Sequence, residues 1–289
     1  MNPEMSKPLA PWPTTQTVDT HFHVFDAHLA VPGARYVPGY AAGLPQWQAL
    51  AAGVGVSHGV LVQTSFLGTD NSHLLQQLAS AALPLRGVAV VAPHSSTATW
   101  PHWQALGVRG IRLNLSGISH GMDAWTRASA LWDAVLALGW HVELHTDAGA
   151  LPAVMAALPA ALPLVLDHFA KPLQASPADA TVRAVRQRSA AHRAGVFVKL
   201  SAPYRLPAGV CPQALVQLWL QELGADSLLW GSDWPCTNHE AQARYPALHA
   251  ALDHWLAGLA QADRVAQAIR WDNPLRLYWG SVHAVDAAA

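Results

Sequence analysis

The sequence is short of charge. Lys, Arg, Asp and Glu make up 12% of its 289 residues, about half the share usual in soluble proteins. Seventeen basic side chains against 18 acidic ones leave a formal charge of -1. No net field draws such a chain to nucleic acid or to an anionic membrane, which excludes binders that work through basic patches. A surface this poor in charge either buries part of itself against further copies, as a homo-oligomer, or uses Ala, Gln and Trp as its exterior. Cysteine is scarce: Cys211 and Cys236 form no C-x-x-C pair, which excludes a disulfide framework and fits a reducing, cytoplasmic compartment. Long apolar runs are missing too. The longest stretch, 153–166, is too short to span a bilayer and is interrupted by Pro159 and Pro163. Neither G-x-G-x-x-G nor G-x-x-x-x-G-K-[ST] occurs, so the dinucleotide and phosphate-loop fingerprints are absent. His239-Glu240 does not extend to H-E-x-x-H, because Ala243 stands where the second His is required.

What the chain does have is apolar residues, at 52%, together with 16 His and 13 Trp. Imidazoles serve metals and proton transfer, and indoles can wall a site for flat ligands. Eight short runs rich in Val, Ile and Leu recur along the chain, at 18–25, 59–65, 86–92, 108–115, 140–146, 164–169, 196–201 and 228–233. Between them lie helical patterns, such as 70–82 behind Asp70 or Asn71 as N-cap, and 123–139 with Gly139 at its exit. Strands alternating with helices pair in parallel through right-handed crossovers, and eight such units close into a barrel. The expected fold is a single-domain (β/α)8 TIM barrel over 18–280, with a flexible arm at 1–17 and a tail at 281–289. A doubly wound open sheet is the rival.

Barrel chemistry sits at the C-terminal strand ends, and here those ends are polar. They offer His21 and His23, Gln63 and Ser65, His94, Arg112 and Asn114, Glu143 and His145, His168, Lys199 and Ser201, and Asp233. Residues two apart share a strand face, so each pair can enter the lumen together. His-x-His in VDTHFHVFD brings two imidazoles to one side, at a spacing that suits a divalent cation as well as two hydrogen-bonded core histidines. Strand one neighbours strand eight in a closed barrel, so Asp233 in GSDWP joins them as a two-His, one-carboxylate site. His168 and His145 are further ligands or proton carriers. The fork of Arg112 suits a carboxylate or carbonyl, whereas Arg109 faces outward and is structural. Lys199 reads as an ion-pair partner. Ser65, in no nucleophile-elbow frame, reads as a hydrogen-bond donor to substrate.

Six strings in order, VDTHFHVFD, VQTSFLGTDN, GVRGIRLNL, LVLDHFAKP, VKLSAPYR and LLWGSDWP, resemble the amidohydrolase superfamily, in the branch of 2-pyrone-4,6-dicarboxylate, muconolactone and sugar lactonases. The likeness runs from Val18 to about Trp279. It implies a barrel hydrolase that opens a lactone. His21, His23, His168 and Asp233 are its implied core residues, and Tyr36, Ser65, Arg112 and Arg205 its implied substrate contacts, to which the strand-end reading adds His145. The branch includes metal-free and zinc enzymes, so the implied cofactor is a divalent metal, Zn2+, on His21, His23 and Asp233, or none. The chain departs from the pyrone pattern in the Arg-free stretch 116–121, in His145 and in Lys171. The expected chemistry is water attack assisted by Asp233, with His168 protonating the leaving oxygen. A decarboxylase or lactone isomerase on the same site, and a small-molecule binding protein, are the alternatives.

Overall fold

The computed structural model describes residues 16–118, 121–191 and 195–280. The expected tail and all but the last two residues of the expected arm lie outside them, and Thr17 already begins the first strand. Eight parallel strands run in chain order around one sheet: β1 (Thr17–Phe22), β2 (Val56–Val62), β3 (Leu85–Val90), β4 (Val108–Asn114), β5 (His141–His145), β6 (Leu164–Leu166), β7 (Val196–Leu200) and β8 (Leu228–Trp230). Helices intervene at α1 (Leu44–Ala52), α2 (Ser72–Ser80), α3 (Trp100–Leu106), α4 (Asp123–Thr126), α5 (Ser129–Ala137), α6 (Leu151–Ala156), α7 (Ala180–Ala191), α8 (Pro212–Leu223), α9 (Tyr245–Leu256) and α10 (Ala262–Gln267). This is the (β/α)8 barrel, with each of the eight expected strands in place. No described helix is long and apolar enough to cross a membrane.

The last strand closes on the first through main-chain bonds beyond its own end. Asp233 N donates to His21 O, and His23 N to Trp234 O, each at 2.8 Å. Asp19 pins the seam from outside the barrel. Its fully buried carboxylate accepts from Ser232 N (2.9 Å), Ser232 Oγ (2.7 Å), Trp47 Nε1 (3.0 Å) and Tyr245 Oη (3.0 Å). With His21 N at 3.2 Å, five donors offset the cost of burying one charge. Gly231 completes the join: a Cβ there would lie 2.7 Å from His21 Cβ, so the close approach of β8 to the first histidine requires glycine.

Two apolar layers flank the sheet. Val18, Val60, Val62, Val88, Val165, Leu229 and Tyr278 form one cluster that fills the lower lumen. Trp47, Trp100, Trp140, Trp219 and Trp230 are fully buried, and belong to the outer cluster between strands and helices. The tryptophan surplus is therefore spent on packing. The expected helix over 123–139 is split at Ala128, whose ψ is 42°. The Trp132 indole donates to Trp125 O at 2.9 Å, taking the carbonyl that a continuous helix would give to Ser129 N.

Candidate active site

A break in strand register between Asp19 and Phe22 aims the first two candidate ligands. Plain alternation from Val18 in the lumen would point His21 and His23 outward. The irregularity turns both inward, as bulges beside active sites do. His21 is fully buried and His23 is 8% exposed.

Beneath the mouth lies a layer of buried charge. Lys199 Nζ stands 2.5 Å from Glu143 Oε2 and 3.2 Å from His21 Nδ1. Arg112 sends Nε (2.9 Å) and Nη2 (2.8 Å) to Asp167 Oδ2 and lies 3.4 Å from Glu143 Oε1. Two cations thus face two carboxylates in the barrel axis. Lys199 is the ion-pair partner expected. Burial and the adjacent Asp167 push Glu143 up to about 8. Burial also pushes Asp167 up, but Arg112 and His21 outweigh it and hold Asp167 well below the usual carboxylate range. His21 is held down to about 3 by burial, against the pull of Asp167, so its imidazole is neutral.

The next layer converges on one oxygen. His21 Nε2 and His23 Nε2 each lie 3.5 Å from Asp233 Oδ1, and His168 Nε2 lies 3.9 Å from it. The opposite oxygen, Oδ2, accepts from Arg205 Nε and Tyr204 Oη, both at 2.8 Å. Burial raises the Asp233 carboxyl, yet Arg205 and His168 prevail and hold it well below the ordinary range, so it is ionised. The His23 tautomer follows from the far side of its ring. His23 Nδ1 is 2.7 Å from Val62 O, which can only accept, and His21 Nδ1 is 3.3 Å from Asp167 Oδ1. The His23 ring therefore carries its proton on Nδ1 and turns an Nε2 lone pair toward Asp233, whereas His21 Nδ1 lies between Asp167 and the Lys199 ammonium.

Strain accompanies this layer. His168, Phe169, Ala170 and Lys171 have φ of 53°, 59°, 61° and 44°, and Asp233 has 58°. Left-handed residues without glycine cost energy that surrounding structure must supply, and they gather at functional sites. The turn also ends β6 at Leu166, three residues before the expected end.

A cavity of about 270 Å3 opens above these groups. His23, Tyr36, Ser65, Arg112, His145, His168, Arg205 and Asp233 all border it, whereas His21 lies beneath. Thr64, Thr237, Asn238 and Arg35 also border it and escaped the sequence reading. So did Asp167 and Tyr204, which hold Arg112 and Asp233 in place. The signal for Asp167 was its period-two spacing from the lumen residue Val165. No tryptophan among the described residues borders this cavity.

Lys171, 7% exposed, is held down to about 8 by burial, with Arg205 and Arg112 adding to the effect. Its unfolded value, near 10.5, is higher, so the unfolded chain binds more protons between those limits and stability rises with pH across that window. The burial cost is complete below about pH 8. Lys171→Met is therefore expected to be the more stable protein at neutral pH, by no more than about 3 kcal/mol. Its advantage should shrink as pH climbs toward 10, as urea unfolding at several pH values will test.

The family model described as amidohydrolase matches residues 18–279. A 2-pyrone-4,6-dicarboxylate hydrolase from Comamonas testosteroni is 29% identical over 281 residues, covering 91% of this chain and 90% of that one. A 4-sulfomuconolactone hydrolase from Rhizobium radiobacter is 28% identical, covering 90% and 89%. Among solved structures, a candidate 2-pyrone-4,6-dicarboxylic acid hydrolase from Pseudomonas putida superposes with a TM-score of 0.80 at 33% identity, covering 93% of this chain and 99% of that one.

Proposed function

The chain belongs to the amidohydrolase family, and from that premise we propose that it is a hydrolase that opens a small lactone bearing an acidic group. The observation that carries this reading is Asp233, ionised, anchored through one oxygen and presenting the other where three imidazoles meet beside the cavity. Among the described residues, Arg35, Arg112 and Arg205 border the same space against that single carboxylate, which favours an anionic substrate.

The donor set fits a divalent cation. His21 Nε2 is buried without a hydrogen-bond partner, and the His23 lone pair and the Asp233 carboxylate oxygen beside it face each other with no donor between them. We assign His21, His23 and Asp233, whose ligand atoms lie within 4.8 Å of one another, as the residues that would hold it. Zn2+ is the ion that nitrogen and oxygen ligands with an open position suit best. When bound, such an ion supplies charge that acidifies a nearby water and favours a tetrahedral oxyanion. The weak basicity of Asp233 makes that help necessary, since a carboxylate held this low is a poor match for free water. Protein purified without chelator is expected to contain about one divalent ion per chain by elemental analysis, and His21→Ala much less. Equal metal content in both would remove this assignment.

Asp233 Oδ1 accepts the proton of the water as its oxygen bonds to the substrate carbonyl carbon. As the ring C–O bond breaks, the same carboxyl returns that proton to the leaving oxygen. His168 assists as a neutral donor: burial keeps it well below its ordinary value. With Nδ1 accepting from Ser201 Oγ at 2.9 Å, its Nε2–H is free for the leaving oxygen. Arg112, Arg205, Ser65 and Tyr36 orient the acid group and the ring.

Hydrolysis turns a neutral ester into a carboxylate and a proton, so a pH-indicator screen of pyrone carboxylates, muconolactones and sugar lactones tests the reading. Proton release with a lactone of the first two classes is the expected result. Inertness toward all three would overturn it. A binding protein is the weaker reading, because a buried ionised carboxylate set among three imidazoles is costly without a catalytic use.

A further inference from the structure

Two departures from regular backbone aim the groups of the site, and both lead to one carboxylate. The first is the break in register between Asp19 and Phe22, which turns His21 and His23 inward. The second is the left-handed residue Asp233, with a φ of 58°. Neither conformation is favoured by the chain alone. A bulge leaves ladder groups unpaired, and a Cβ strains a left-handed residue.

Asp19 supplies what both lack. Its Oδ1 accepts from His21 N at 3.2 Å and from Ser232 N at 2.9 Å. The His21 N–H thus finds a partner inside the irregular stretch, two residues after the carboxylate. Oδ2 accepts from Ser232 Oγ at 2.7 Å. That hydroxyl in turn accepts from Trp234 N at 3.0 Å, so it spans Asp233 and holds the main chain beyond it. His21 O closes the circuit by accepting from Asp233 N at 2.8 Å. Trp47 of α1 and Tyr245 of α9 also donate to Oδ2, both at 3.0 Å, and fix the plane of the carboxylate. Asp19 and Ser232 are fully buried and neither borders the cavity.

We propose that Asp19 and Ser232 are positioning residues of the active site. They hold the bulge of β1 and the turn after β8 in one frame, and so set the distance from the imidazoles to Asp233 Oδ1. A reacting group displaced by about 1 Å loses about a hundredfold in rate, which makes this frame a determinant of turnover as well as of stability. The inference rests on the hydrolase reading for its reaction, but not for its geometry.

Ser232→Ala removes the hydroxyl that spans Asp233 and leaves the cavity lining unchanged. It is expected to lower kcat about tenfold to a hundredfold while KM stays within about twofold. Zn2+ affinity, measured by competition with a chromophoric chelator, should fall about tenfold. Tyr245→Phe is the control, since it takes one donor from the same Oδ2 but no bond beside Asp233. It should lower the urea midpoint by a similar amount, with kcat and Zn2+ affinity at their parent values. Asp19→Asn keeps one oxygen for His21 N and Ser232 N but loses the second acceptor. Combined with Ser232→Ala, it should lower kcat no further than the worse single variant, because the two act through one linkage. Parent kcat and Zn2+ affinity in Ser232→Ala, a loss residing in KM, equal losses in Tyr245→Phe, or losses that multiply in the double variant overturn the proposal. If Asp19→Asn does not fold, the comparison of Ser232→Ala with Tyr245→Phe decides. Zn2+ affinity lost in Ser232→Ala alone, in a protein that turns over no lactone, upholds the positioning and removes the lactonase reading. A kcat loss confined to Ser232→Ala upholds it even where no form binds Zn2+.

Discussion

Asp233→Asn is expected to lower kcat for lactone opening by about a hundredfold to ten-thousandfold, the range a positioned acid–base group supplies, while KM changes much less. The amide preserves the volume of the carboxylate. Its oxygen can still accept from Tyr204 and Arg205 in place of Oδ2, both now at 2.8 Å. What is lost is the group that takes the proton of the attacking water and returns it to the leaving oxygen. The acid-binding residues Arg112 and Ser65 reach the cavity from other strands, which is why affinity should persist. Steady-state kinetics of the pure variant, with circular dichroism to confirm its fold, makes the comparison. Turnover at the parent rate would remove Asp233 from its role.

The second large effect is on stability. Lys199→Met is expected to cost about 3 to 5 kcal/mol, the usual penalty for removing one partner of a buried pair. Lys199, Glu143 and Asp167 are each at most 2% exposed, so no solvent can replace the ammonium. Glu143 already leans toward its protonated form, and without Lys199 it would be neutral. That relief keeps the loss toward the lower end. The companion variant Lys199→Met with Glu143→Leu removes both charges and should recover most of the loss, because an apolar pair is tolerated where a broken ion pair is not. Urea unfolding of the two variants beside wild type distinguishes this from a packing defect, in which the double variant would be the less stable.

Strand periodicity made much of this legible. Polar residues two apart at strand ends marked Arg112, Glu143, His145, Lys199 and Ser201 for one side of the sheet, and their hydrogen bonds to one another and, for Ser201, to His168 bear that out. The proximity of His21 and His23 to Asp233 followed from closure between first and last strands. Less accessible were groups whose position depends on departures from regularity. Asp167 looked like one more residue of a strand, until four left-handed residues end that strand and leave it facing Arg112. The inward aim of His21 depends on a register shift that no composition announces. Tyr204 sits in a single 3-10 turn, 203–205, too short for any period to show its direction. Tryptophan abundance suggested ligand walls, but large apolar rings gain as much by filling the space between sheet and helices, and that is where they lie. The helix over 123–139 failed for a local reason, an indole taking a main-chain carbonyl.

Product analysis after turnover in heavy-oxygen water tests water attack at the carbonyl more directly than any substitution. With an acid-bearing lactone as substrate, the product should gain the mass of one water and carry a single heavy oxygen in its new carboxylate. A product that has lost carbon dioxide, or one of unchanged mass, would mean that the barrel performs decarboxylation or isomerisation instead.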